Sequence, residues 1–274
     1  MSSSTVSHHA REVTRTRAFE VFARAGYVAR GVLYLVIGIL ALRLAWGVSQ
    51  EAVNQQGALK EISDQPAGLA LLLVMIIGLA GYSAFRLTMA TFGQTPEAGR
   101  HSAMDRIGAL GSGIAYALFA VSAIGLLTGD SGSTSGDGQA QRTTAGVFDW
   151  PGGRFLVGAA GVILLVVAAY QASQSVTRKF LDDTKTGEMG PGLLKAFTVL
   201  GVAGLGARAV AFGLMGGWVL NAAIEFNARE AVGLDGALAR LTQHHYGTAA
   251  LVAVAVGFAM FAGYSIVDAR HRKI

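Results

Sequence analysis

The sequence predicts an all-α, polytopic membrane protein of six transmembrane helices, built as three tandem parallel helical hairpins with pseudo-threefold character. Three observations carry this. The 274 residues are 52% hydrophobic and only 14% charged, against roughly 25% charged in a soluble domain. Six unbroken apolar segments, 26–46, 67–89, 107–128, 153–174, 199–222 and 247–267, are long enough to cross a hydrocarbon core of about 30 Å. The segments also repeat in pairs.

Residues 1–23 form a polar N-terminal segment with no small-residue cleavage signature, so insertion without processing is expected. The stretches "REVTRTRAFEVFARAGY" and "GPGLLKAFTVLG" mix apolar and basic residues. Each is expected to lie along the membrane surface, the first alternatively as an extension of helix one.

The three hairpins occupy 24–92, 105–180 and 197–270, leaving 271–274 as a C-terminal tail. Gly26, Gly108 and Gly204 open the odd-numbered helices, each followed eight residues later by an aromatic: Tyr34, Tyr116 and Phe212. Gly68, Gly153 and Gly247 open the even-numbered helices, each followed seventeen residues later by Phe85, Tyr170 or Tyr264. Because each unit crosses twice, the copies are parallel repeats about an axis along the membrane normal. The loops "EAVNQQGAL" and "EAVGLDGAL" of the first and third copies share six of nine residues. The middle copy has "GDSGSTSGDGQAQRTTAG" instead, which reads as a flexible loop that has lost the role of the other two. Glycine is abundant, 37 residues, and Gly213 with Gly217 at i,i+4 offers a face for close helix packing.

Lysine and arginine flanking the spans number fourteen on the side of both termini and five on the other. This asymmetry places both termini in the cytoplasm. Attraction of that basic face to anionic lipid explains the net charge of +5 without nucleic acid as a partner. A second membrane protein is the other candidate partner. Cysteine is absent, excluding disulfides and thiolate sites.

The stretches "ARAGYVARGVLYLVIG", "DQPAGLALLLVMIIGLAGYSAFR", "PGGRFLVGAAGV" running on to "KFLD", and "EAVGLDGALARL" resemble the bacterial DUF1206 family. Its members have three tandem copies of a two-helix unit. The resemblance implies this architecture and a bacterial plasma membrane. It implies no activity and supplies no catalytic residues.

Arg30 and Arg208 occupy matched positions in repeats one and three, where repeat two has Ser112. The expectation is that both snorkel to lipid phosphates. The alternative is that they face inward and bind an anion or lipid headgroup. Gln171, Gln174 and Arg178, at helical spacing on one side of helix four, join them as candidate anion or lipid contacts. Arg43 must reach the opposite interface. No carboxylate falls within a predicted span away from its ends, which argues against proton or sodium coupling. The adjacent His244 and His245 cannot share a helical metal-binding face, and His8 and His9 lie in the N-terminal segment. No metal, cofactor or catalytic site is therefore expected. The favoured function is a structural or accessory subunit binding lipid or an envelope partner. A pore or carrier for an anionic or amphiphilic small molecule using Arg30 and Arg208 comes second, and an intramembrane enzyme without a recognisable motif third.

Overall fold

The computed structural model describes residues 17–48, 52–92, 94–95, 99–100, 103–128, 136–243 and 245–273. Six long helices are apolar enough to cross a membrane: α1 (Arg17–Ala45), α3 (Gly68–Phe92), α4 (Ala103–Leu127), α6 (Gly153–Thr177), α7 (Pro191–Glu225) and α9 (Gly247–His271). Three short helices follow the odd-numbered spans: α2 (Gln55–Ser63), α5 (Gly136–Phe148) and α8 (Leu234–Leu241). A two-residue antiparallel pairing of Gln94–Thr95 with Gly99–Arg100 lies between α3 and α4. The chain is thus three spanning hairpins, each with a short helix at its tip. The face where α1 begins and α9 ends is called the terminal face, and the other the loop face.

Both stretches expected on the membrane surface continue a span instead. Residues from Arg17 onward belong to α1, with residues 11–16 outside the described set. Pro191 is the first residue of α7, where its fixed φ suits a helix start. At about 1.5 Å per residue, the 35 residues of α7 run roughly 52 Å, well beyond a hydrocarbon core.

Each even-numbered span packs on the odd-numbered span of the next repeat: α3 on α4, α6 on α7, and α9 back on α1. The last pairing closes the row into a ring. Within repeats one and three the two spans also pack together, whereas α4 and α6 of repeat two stand apart. Matched glycines explain the difference. A Cβ on Gly26 would collide with the Cβ of Tyr82, and one on Gly204 would lie 2.7 Å from the Cβ of Phe261. Those partners are themselves matched, 179 residues apart. Gly108, the equivalent in repeat two, meets nothing within 4 Å among the described residues. Half of the most apolar window of α1 and of α9 is buried, against 22% in α4 and α6. The core therefore lies around α1, α3 and α9, where Tyr27, Tyr34, Tyr82, Phe258 and Phe261 pack edge to face. The face expected at Gly213 and Gly217 is not the close one: Gly217 has open space, and Gly216 carries the approach to Leu164 and Leu165.

At the loop face the middle loop corrects its expectation. Residues 136–148 form α5, and tertiary contacts override the weak helix propensity of its glycines and threonines. Asp235 Oδ2 accepts from the Gly136 amide at 2.9 Å, and Asp137 Oδ1 accepts from the Gly233 amide at 2.7 Å. The N-termini of α5 and α8 thus cap one another. Gln56 Nε2 of α2 donates to Gln139 Oε1 of α5 at 2.9 Å, so all three loop helices interlock. Asp137-Gly138 repeats Asp235-Gly236, a match hidden by the serine and threonine around it. Arg43 reaches Glu61 of α2 at 3.1 Å.

At the terminal face, residues 271–273, expected as a tail, are strapped to the linker after α6. Arg272 Nη2 pairs with Asp183 Oδ2 at 2.7 Å, the Lys185 amide donates to the His271 carbonyl at 2.7 Å, and the Lys273 amide to the Asp183 carbonyl at 3.0 Å.

Two expectations follow. Gly26→Ala and Gly204→Ala should each cost about 1–3 kcal/mol through overpacking, while Gly108→Ala should be neutral or slightly stabilising, read by thermal unfolding in detergent. Burial, with the Asp235 charge adding to it, raises the Asp137 pKa above the ordinary 3.8 despite the Gly233 hydrogen bond. A group whose folded pKa is raised binds its proton more tightly when folded, so its stabilisation is lost as pH rises through that pKa. Protection of the Gly233 amide, corrected for intrinsic exchange, should fall over that window, and Asp137→Asn should flatten the dependence.

Candidate functional site: three arginine junctions

In hydrocarbon the last carbonyls of a helix need donors that water would otherwise supply. Arginine is that donor at the terminal face of two ring junctions, and at the loop face of the third, where Arg154 of α6 donates to the carbonyls of Ala223 at 2.8 Å and Ile224 at 2.7 Å in the last turn of α7. Arg24 Nη1, near the start of α1, reaches the carbonyls of Ala269, at 2.9 Å, and Arg270 in the last turn of α9. Arg106, its match in α4, donates to the carbonyls of Ala90 at 3.0 Å and Thr91 at 2.9 Å in α3. The third junction reverses the direction. Ser175 of α6 donates its hydroxyl to the Val202 carbonyl of α7 at 2.7 Å, Val202 being the residue matched to Arg24 and Arg106.

About one to two turns deeper, each junction carries one further arginine opposite a short polar side chain. The even-helix positions are Arg86, Gln171 and Ser265, and the odd-helix positions are Ser112, Arg208 and Arg30. Between α3 and α4, Arg86 Nε donates to Ser112 Oγ at 2.6 Å and Nη2 to the Gly108 carbonyl at 3.3 Å. Between α9 and α1 the roles exchange helices. Arg30 Nε donates to Ser265 Oγ at 3.2 Å and Nη1 to Tyr82 Oη at 2.8 Å. Arg30 is only 7% exposed, so it faces the bundle interior and the snorkelling expectation fails. Its Nη2 lies 3.6 Å from Asp268 Oδ2, and its guanidinium sits over the rings of Tyr27, Tyr82 and Phe261.

Asp268 lies just past the predicted apolar segment, at the end of its helix, where the sequence predicts no buried acid. Helix α9 continues four residues beyond the predicted end at 267 and takes in this carboxylate, which is fully buried. Arg272 Nη1 stands 3.7 Å from its Oδ2, so it is flanked by two guanidiniums, the arrangement a buried charge requires.

The third junction, between α6 and α7, is different. Its register is set by Ser175 against Val202 at one end and Gly213 facing Ala168, 3.9 Å from a Cβ built on the glycine, at the other. Gln171 and Arg208 fall at one level between these ties. Arg208 faces inward over Tyr34, Phe212 and Phe261, and Tyr116 of α4 lies within electrostatic range of both Arg208 and Arg30. The position matched to Asp268 is Gln174. No Asp or Glu stands within 4.0 Å of the Arg208 guanidinium among the described residues. Among the described residues Arg208 Nε, the Nε2 of the buried Gln171 and Gln174 Oε1 find no hydrogen-bond partner. At the α9–α1 junction the same is true of Arg30 Nη2 and both Asp268 oxygens, but there the two opposite charges face each other. Gln174 Nε2 donates to Tyr170 Oη at 2.7 Å, which donates to Asp105 Oδ1 of α4 at 2.8 Å. That relay bridges α4 and α6 at the terminal face.

The candidate residues therefore divide. Arg30 is neutralised at its own junction, and Arg208, Gln171 and Gln174 share another. Arg178 is an exposed left-handed C-cap of α6 with φ 57°. His244, His8 and His9 lie outside the described residues, and His245 contacts Tyr246. Sequence reasoning missed Asp268, Arg86 and Tyr170. Extending the repeat comparison three residues past Arg86 and Ser265 would have paired Asp268 with Met89 and Gln174 and exposed the missing acid.

Removing Asp268 leaves two buried guanidiniums facing each other. Asp268→Asn or Arg30→Ala should cost about 3–5 kcal/mol. Arg30→Met combined with Asp268→Leu should cost less than either change alone, as a double-mutant cycle in detergent will read.

The sequence matches the family described as Domain of Unknown Function (DUF1206) three times, over residues 25–93, 107–178 and 203–272. It is 31% identical over 250 residues to "Uncharacterized protein YxxB" of Bacillus subtilis (strain 168), covering 90% of this chain and 88% of that one. No solved structure matches. One family unit per hairpin, with the ring junctions falling between units, places this chain in the DUF1206 family.

Proposed function

We propose that this is a structural or accessory protein of the bacterial plasma membrane, seated with both termini in the cytoplasm, that binds lipid or another envelope protein and catalyses no reaction. The observation that carries this reading is the engagement of Arg30 and Arg86 with neighbouring helices. Arg30 is held by Asp268, Ser265 and Tyr82, and Arg86 by Ser112 and the Gly108 carbonyl. Groups so committed brace a scaffold and line no path for a solute. The excess of lysine and arginine on the terminal side supports the orientation and gives that face an attraction for anionic lipid.

A carrier for an anionic amphiphile is the second reading, favoured by the uncompensated Arg208 alone. Extraction in polymer-bounded native membrane discs separates the two. The scaffold should emerge with anionic lipid enriched over the bulk membrane or with a second envelope protein. Lipid in bulk proportion, together with anion efflux from liposomes holding the purified chain, would shift the conclusion to the carrier.

A further inference from the structure

We propose that the junction of Arg208, Gln171 and Gln174 is a binding site for the phosphate of an anionic phospholipid, whose acyl chains lie in the parting between α4 and α6. This rests on the reading that the protein binds lipid and locates where.

Three matched junctions in one molecule differ in what faces their arginine. Two place acceptors or a counter-charge by it: Arg86 has a hydroxyl and a carbonyl, and Arg30 has two hydroxyls and the Asp268 carboxylate 3.6 Å from its Nη2. That Nη2 and both Asp268 oxygens make no hydrogen bond among the described residues. In the third, the acid is replaced by Gln174, and two donor atoms, Arg208 Nε and Gln171 Nε2, are buried without acceptors. An unneutralised guanidinium in a span is costly, and buried donors without acceptors add to that cost. The missing component is an acceptor-rich anion, and phosphate matches a guanidinium fork well.

Access and depth select a lipid as its source. This junction borders the parting inside repeat two from the α6 side, as the α3–α4 junction does from the α4 side, where Gly108 meets nothing within 4 Å among the described residues. Of the two, the α3–α4 junction already gives its arginine a hydroxyl and a carbonyl. The outer faces of the flanking helices are apolar and exposed, through Ile107, Leu110 and Leu118 of α4 and Ile163 and Val166 of α6. Gln171 stands six residues before the end of α6 at Thr177, about 9 Å along the axis. A headgroup drawn in laterally reaches that depth while its chains run toward the mid-plane. The relay from Gln174 through Tyr170 to Asp105 closes the parting at the terminal face, so entry is from the side.

Native mass spectrometry of the full chain in detergent tests this with three probes: phosphatidylglycerol, phosphatidylcholine with the same chains, and inorganic phosphate. One phosphatidylglycerol should be retained over phosphatidylcholine, and retention should drop at least tenfold in Arg208→Gln. Gln174→Asp should do the same with the fold intact, because it rebuilds the Asp268 arrangement and neutralises Arg208 from within. Retention unchanged in both variants overturns the site while leaving lipid binding elsewhere, and the proposed function, standing. Inorganic phosphate displacing the lipid at equal concentration overturns the lipid as ligand. If the wild-type chain retains no phosphatidylglycerol, this site and the lipid-binding reading both fail.

Discussion

A spanning helix that ends near a bilayer surface leaves carbonyls its own chain cannot satisfy, and the donor that meets them here comes from the next repeat. Arg24 and Arg106 hold the last turns of α9 and α3, and Ser175 ties α6 to Val202 of α7. Because Arg24 belongs to the first repeat and α9 to the third, this handshake turns a row of hairpins into a ring. The deeper layer depends on it. Once each even-numbered helix is fixed end-on against its neighbour, residues one and two turns inward come opposite one another in register, and the same three positions meet at every junction. The contacts of Gly26 and Gly204 work within repeats, drawing α1 onto α3 and α7 onto α9, while other glycines, among them Gly38 against Ala255 and Gly216 against Leu164, tighten the junctions.

Repeat two departs from the pattern in several places that reinforce one another. Gly108 keeps its glycine but has no neighbouring atom within 4 Å among the described residues, and the residue matched to Tyr82 and Phe261 is Val167. Without that contact α4 and α6 remain the least buried spans. Their link shifts to a polar one at the terminal face, Tyr170 to Asp105, and on the loop face the longer α5 interlocks with α8 through reciprocal aspartate caps. Within repeats the two spans therefore pack where the matched glycine receives its partner helix and part where it does not, with polar ties at both ends of the parted sector.

Much of the fold was readable in the sequence because both of its determinants are periodic. Apolar length fixes the spans, and recurring glycine and aromatic positions reveal the hairpins, so the element order and the parallel repeats could be derived without coordinates. Side-chain direction could not. Arg30 in an apolar run reads equally well as lipid-facing or inward, and what decides it is Asp268, 238 residues away in sequence and just past the predicted end of its helix. Helix ends are the least determined feature of an apolar pattern, and the misplaced end hid the counter-ion. The middle loop failed for a related reason. Its local composition favours a coil, while the Asp235 cap and the packing on α6 and α8 that make it helical are tertiary.

The exchange of arginine between helices is the clearest sign of what the junction layer requires. Between α3 and α4 the guanidinium comes from the even helix and the hydroxyl from the odd; between α9 and α1 the origin is reversed. A packing role tied to one helix face would not survive that exchange, because the two side chains leave their helices from opposite sides of the gap. What persists is one guanidinium at each junction, so the layer is defined by a charge between helices and not by which helix supplies it. A positive charge kept at three places, with a carboxylate at only one, gives the interior of the spanning region an excess of cation. Hydroxyls and carbonyls absorb that excess where the helices close on each other. Around Arg208, beside the parting of α4 and α6, they do not, and the fold's loosest sector coincides with its least balanced charge.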